Sequence, residues 1–260
     1  MTRAVLKELG VFLVWNIAIG LAIILLPPAE GVLVVLLLSG WLLFRYVLRR
    51  GKSGQWRRWA LLRLRPLTGP ALQWTIIGIP FVIAASWALG EVYTRLIPVP
   101  PENFNTFGAL TSTPLGRLAL AILAVAIAPI LEEFFFRGLI QRRLERHLGP
   151  ARGIGIAAGL FAAVHLLPWI FPLHFFLGVA LGYAVYITRS IWAGVILHAA
   201  NNGIAMVAMG AQSDEALLSP TLWEAGLSAE WWFAVAVLLV GGIGLAWTVR
   251  GLRTARTMHV

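Results

Sequence analysis

No cysteine occurs among the 260 residues, and Asp, Glu, Lys and Arg together make up only 12% of them. The first absence excludes disulfides and thiolate metal sites, so any metal would have to be held by His, Asp, Glu or water. The second excludes an ordinary soluble domain, in which about a quarter of the residues are charged. Hydrophobic residues fill 59% of the chain and the mean hydropathy is +0.82, the composition of an integral membrane protein. Acids are scarcer still, 11 against 21 Lys and Arg, for a net charge of +10. That excess does not predict a nucleic-acid partner, because the basic residues cluster beside apolar segments, where they report topology. There is no low-complexity tract, convincing repeat or soluble domain, and a single membrane domain is expected over 1–260. The first apolar stretch, beginning near Gly10, runs into Pro27 and Pro28 without a small-residue cleavage site, and reads as a retained helix rather than a secretion signal.

A membrane span needs about 20 mostly apolar residues. Eight stretches qualify, at 10–26, 31–48, 70–90, 117–141, 153–168, 170–187, 191–210 and 231–249. The fold class expected is therefore an all-α polytopic membrane protein. Between the second and third spans lie Arg45, Arg49, Arg50, Lys52, Arg57, Arg58, Arg63 and Arg65 with no acid, which predicts a cytoplasmic loop. Threading eight spans from that loop puts both termini in the cytoplasm and 19 of the 21 basic residues on its side, leaving Arg95 and Arg117 outside. Glu91, Glu102, Asp214, Glu215, Glu224 and Glu230 fall on the outer side, residues 91–116 read as an irregular outer loop, and Trp231 and Trp232 suit an interfacial belt.

Two adjacent carboxylates, Glu132 and Glu133, interrupt the apolar run LALAILAVAIAPILEEFFFR. A charge at the centre of a membrane helix costs about 2.5–3.5 kcal/mol on insertion scales, so such residues face a protein interior and serve a function. Glu133 and Arg137 are four apart and share a helix face, where they can pair. Glu132 points about 100° away and is the freer carboxylate. The other polar groups within spans are His165 at the end of FAAVH, which shares a face with Phe161, then His174, and His198, Asn201 and Asn202 in HAANN. His198 and Asn202 share a face, whereas Asn201 is expected to be an interhelical hydrogen-bond donor. If the helix continues through GLIQRR, Glu132, His165 and His198 lie about 15, 18 and 12 Å deep at 1.5 Å per residue. His174, about 6 Å in, reads as interfacial or as a residue supporting the site from behind. His147 and His259 fall in charged segments.

A carboxylate, one or two imidazoles and an amide can activate water and stabilise an oxyanion, as peptide-bond hydrolysis requires. Ser and Thr are sparse nearby and Cys is absent, so a covalent nucleophile has little support. The alternative in which Glu132, His165 and His198 hold a divalent metal such as zinc stays open on these residues. So do a proton-coupled transporter, because intramembrane Glu and His also build proton relays, and a non-catalytic scaffold or immunity protein.

Taken in order on successive segments, EEFFFR, FAAVH and HAANN give E-E-x-x-x-R, F-x-x-x-H and H-x-x-x-N. This set resembles the CPBP family, also called the CAAX protease and bacteriocin-processing or Abi family, which includes the Ras-converting CAAX prenyl endopeptidase. The resemblance covers residues 117–205, leaving 1–116 and 206–260 as accessory helices and loops. It implies an eight-helix intramembrane endopeptidase acting on a membrane-anchored, lipidated or hydrophobic protein or peptide. Glu132 would be the general base assisted by His165, His198 and Asn202 would stabilise the oxyanion, and Glu133, Arg137 and Phe161 would support them. Both metal-dependent and metal-free glutamate mechanisms are consistent with the family. The expected location is a bacterial or archaeal plasma membrane.

Overall fold

The computed structural model describes residues 2–47, 62–97, 113–211 and 228–257. Among these residues the regular structure is entirely helical: α1 (Thr2–Leu25), α2 (Pro28–Val47), α3 (Gly69–Leu96), α4 (Pro114–Leu148), α5 (Pro150–Ala163), α6 (Phe171–Thr188), α7 (Ile191–Ala211) and α8 (Ala229–Thr257). Most of the expected basic loop, most of the outer loop, the acids Glu102, Asp214, Glu215 and Glu224, and His259 lie outside the described residues. Six helices are long and apolar enough to cross a membrane, among them α1, α3, α4, α7 and α8; the sixth runs from Pro168 through α6. Two of the eight expected spans are represented by shorter apolar helices, Leu33–Leu42 within α2 and α5.

The expected span at 153–168 needs correction. α5 stops at Ala163, and its 14 residues reach only about 21 Å against a hydrocarbon core of about 30 Å. Pro168 is the cause. The residue before a proline is steered out of the helical region, and Leu167 is extended at φ −119°, ψ 91°, while Leu166 turns left-handed at φ 56°. His165 therefore sits in the turn beyond the helix.

Contacts between helix ends show which ends share a face of the molecule. Arg143, late in α4, meets Glu8 in α1 at 3.1 Å. Arg63, before α3, pairs with Glu145 at the end of α4. Arg253, late in α8, bonds Tyr183, late in α6. At the opposite face Arg95, late in α3, donates to Ser228, just before α8, at 3.0 Å. The arginine-rich ends thus lie together.

Two apolar clusters fill the interior. One joins α1, α2, α4 and α5 through Phe12, Trp15, Val35, Phe134, Phe135, Phe136 and Phe161. The other joins α3, α6, α7 and α8 through Val82, Leu181, Ala193, Leu197 and Leu252. In the second, α3 and α8 run antiparallel along a seam of small residues. A side chain added at Gly241 would meet Ala85 at 3.0 Å, one at Gly244 would strike the Phe81 ring, and one at Gly251 the Trp74 indole. Close backbone approach is what holds such helices where lipid offers no hydrophobic driving force between them. Outside, Val14, Ile17, Leu37, Val207 and Ile243 are all more than 60% exposed, as a lipid-facing surface requires.

Candidate active site

Helix α4 contains two π-helical stretches, Leu123–Ile127 and Glu133–Gln141. Such wide turns often mark functional positions, and the first has a cause in the sequence. The N–H of Ala128 bonds the carbonyl of Leu123, five residues back. In that register the next donor would be Pro129, aimed at Ala124, but proline has no N–H. The stranded Ala124 carbonyl is met from α7 by Asn202 Nδ2 at 2.9 Å. The interhelical amide bond expected of Asn201 is thus made by Asn202.

The second stretch carries the charges. Arg137 Nη1 lies 2.9 Å from Glu133 Oε1, and both side chains are at most 1% exposed. His198 of α7 reaches both carboxylates: its Nδ1 lies 3.2 Å from Glu133 Oε1, and its Nε2 lies 3.7 Å from Glu132 Oε2. A carboxylate can only accept, so Nδ1–H donates to Glu133, which orients the ring. The two acids differ sharply in their surroundings. Glu133 is fully buried against a guanidinium and an imidazole. Glu132 is 11% exposed at its side chain and is approached only by His198 at 3.7 Å; the Oε2 atoms of both acids lack a hydrogen-bond partner among the described residues. The asymmetry expected from the helical spacing is present in the geometry.

Sequence reasoning stopped at Arg137, but the four-residue stripe continues. Arg137 Nη2 donates to the Gly178 carbonyl at 3.2 Å, and one turn on Gln141 Nε2 donates to the Gly182 carbonyl at 2.8 Å. Gln141 also meets Glu145 at 2.7 Å, and Glu145 is held by Arg63. Glu133, Arg137, Gln141 and Glu145 therefore form a polar ladder along one side of α4, bonded to α6 at two levels. The signal was readable as polar residues recurring every fourth position. Glycines supply the room: a Cβ at Gly182 would stand 2.6 Å from Gln141 Oε1, and one at Gly194 would collide with the Glu133 carboxylate and come within 2.9 Å of Val185.

Phe161 organises the histidines. Its buried ring lies under the Arg137 guanidinium at 4.5 Å and makes edge contacts with His165 at 4.9 Å and His198 at 5.7 Å between centroids. The pairing of Phe161 with His165 one turn later is also a hydrogen bond, with His165 Nδ1 2.7 Å from the Phe161 carbonyl. Of the two placements expected for His174, the structure has the one behind the site residues. Because α5 ends early, His165 is carried to the start of α6, where the two imidazole centroids are 4.0 Å apart. His147 is exposed, as expected. The trio Glu132, His165 and His198 does not converge as a metal set: among the described residues no three His, Asp or Glu side chains stand close enough to hold an ion. His165 has turned instead to the Phe161 carbonyl and His174.

The described residues are thus a helical membrane fold that sets a buried carboxylate beside an oriented imidazole, the groups that general acid–base chemistry on water requires. Residues 114–204 match the family model described as type II CAAX prenyl endopeptidase Rce1-like. Through this stretch, about a third of the chain, the protein is similar to the CAAX protease family of peptide hydrolases. No curated protein and no solved structure matches the chain. The matched residues hold every side chain of the site: Glu132, Glu133, Arg137, Phe161, His165, His198 and Asn202.

Proposed function

We propose that the protein is a glutamate-type intramembrane endopeptidase that cleaves a membrane-anchored, hydrophobic or lipidated protein or peptide. Its catalytic core is residues 117–205, and 1–116 and 206–260 are accessory. All eight helices enter the bilayer with both termini in the cytoplasm of a bacterium or archaeon, α2 and α5 doing so as shorter elements supported by their neighbours. The observation that carries this reading is the inequality of the adjacent acids. Glu133 is paired with Arg137 at 2.9 Å and bonded by His198 at 3.2 Å, while Glu132 has only the longer approach of His198 Nε2 at 3.7 Å.

In the proposed reaction Glu132 takes a proton from water, and the resulting hydroxide attacks the scissile carbonyl carbon. The negative charge moves to the carbonyl oxygen. His198, oriented by Glu133 through Nδ1, stabilises that oxygen from Nε2 in its doubly protonated form. Asn202 contributes as well, because its amide carries two N–H groups and the Ala124 carbonyl takes one. Glu132 then passes its proton to the leaving amine as the C–N bond breaks. His165 assists Glu132; with Nδ1–H directed to Phe161, its Nε2 lone pair remains to accept a proton. Beside His165 an apolar cavity of about 460 Å³, lined by Ala162, Leu166, Leu167, Pro168, Phe171 and Pro172 among others, suits a lipid chain or hydrophobic side chain of the substrate.

The test uses the full chain in proteoliposomes with a quenched fluorescent peptide bearing a prenylated terminus, and the same peptide with a hydrophobic but unmodified terminus. Cleavage of either by wild type and its loss in Glu132→Ala and His165→Ala supports the reading. Full cleavage by either variant would contradict the assigned mechanism. Glu132-dependent proton uptake without proteolysis would favour a carrier.

A further inference from the structure

The polar ladder of α4 ends in a second site. Four arginines, Arg63, Arg65, Arg142 and Arg189, line a cavity of about 210 Å³. They come from three separate places: the segment before α3, the last part of α4, and the turn between α6 and α7. The walls are tied together by bonds that do not use the guanidinium groups. Ile191 N–H donates to the Arg63 carbonyl at 2.7 Å, and Ser190 Oγ donates to the Arg65 carbonyl at 2.6 Å. Arg63 and Arg189 are held in the left-handed region at φ 58° and 57°, two of only three non-glycine residues so placed among the described residues. Left-handed backbone at non-glycine residues is costly and tends to be kept where function requires it.

The charge here is poorly balanced. Arg63 is buried and engaged by Glu145, so one carboxylate faces four guanidinium groups. Arg146 and Arg256 add to the positive field around Arg142 and Arg189 respectively. Burial, followed by Arg63 and Arg256, lowers the Arg189 pKa from its ordinary value, as crowded like charges should. An arginine fork matches the oxygens of a phosphate with paired hydrogen bonds, a geometry lysine lacks. The level is also right: α6 ends at Thr188, α7 begins at Ile191, and α3 begins at Gly69, so the cavity opens at the boundary of the spans. Basic pockets between membrane helices at that level are suited to phospholipid headgroups.

We propose that this cavity is a binding site for a phosphate group, filled in the membrane by the headgroup of an anionic phospholipid. It is separate from the hydrolytic site and does not depend on the chain being a protease. Through Arg63, Glu145 and Gln141 it is joined to the α4–α6 ladder, so occupation braces the contact on which Glu133 and Arg137 rest.

The test is native mass spectrometry and thermal unfolding of the purified full-length protein in detergent. Phosphatidylglycerol, phosphatidylcholine with identical acyl chains, and inorganic phosphate are titrated separately. Wild type is expected to retain phosphatidylglycerol at least tenfold more strongly than phosphatidylcholine. Arg142→Gln with Arg189→Gln should abolish that preference, and Arg142→Lys with Arg189→Lys should restore part of it. Arg65→Gln, which removes an exposed arginine at low risk to folding, should weaken it to a smaller extent. Displacement of the lipid by millimolar inorganic phosphate would make soluble phosphate the source of the same chemistry, and stabilisation by the lipid alone would make it the headgroup. Equal retention of the two lipids by wild type with no response to phosphate would overturn the proposal. So would unchanged phosphatidylglycerol retention in both Gln variants.

Discussion

The α4–α6–α7 contact and the α3–α8 contact are both built on glycine, yet they use it for opposite ends. Along α3 and α8, glycine lets aromatic rings and backbone pack against each other, with Trp74 and Phe81 lying over Gly251 and Gly244. No charge is needed, and dispersion holds the seam. Between α4, α6 and α7, glycine makes space for polar side chains: Gly182 for Gln141 and Gly194 for Glu133. The apolar seam can tolerate repacking, whereas the polar one must satisfy each group it buries, since removing one member strands another. The difference bears on the proposed chemistry: the seam that is expensive to build is the one beside Glu132.

That contrast can be broken experimentally. The largest effect expected is on chemistry alone: Glu132→Gln should lower the cleavage rate by about 10²–10⁴-fold, the usual contribution of a general base. Its thermal midpoint should stay at or above that of wild type, because a buried carboxylate without a donor is removed. Next comes Arg137→Met, which strands Glu133 and should cost about 3–5 kcal/mol of stability, measured by unfolding in mixed micelles. Combining it with Glu133→Gln should recover a large part of that loss, whereas two independent side chains would give additive losses. In the apolar seam, Gly251→Leu should cost about 1–3 kcal/mol by overpacking against Trp74, while cleavage per folded molecule stays unchanged. The smallest effect is predicted for His174→Phe, which keeps a ring against His165 and should change stability by about 1 kcal/mol or less. A large loss of cleavage in this variant would move His174 into the reacting set.

Much of this was legible in the chain. The four-residue interval from Glu133 to Arg137 foretold their ion pair, and that from Phe161 to His165 foretold their contact. The helix through GLIQRR was extended correctly beyond Arg137, and the structure carries it to Leu148. What could not be read was the effect of two prolines on neighbours far away in sequence. Pro168 ends α5 before His165, and so brings His174 against it. Pro129 removes a donor in a π-helical register, and so recruits Asn202 from another helix. Both outcomes depend on which group stands opposite a broken hydrogen bond, a fact of packing rather than of spacing. Gln141 and Glu145 continue the four-residue rhythm, but an uncharged amide and an acid at the helix end carry little of the mid-membrane cost that marks a residue in the sequence.

The central claim is that the adjacent acids have separate duties, Glu132 in the reaction and Glu133 in holding it together. The most direct test measures single-turnover cleavage and thermal unfolding on Glu132→Gln and Glu133→Gln prepared side by side in the same lipid. The account predicts that Glu132→Gln loses cleavage and keeps its unfolding midpoint, while Glu133→Gln is the one that loses stability. The reverse pattern, with Glu133→Gln stable and inactive and Glu132→Gln active, would contradict it.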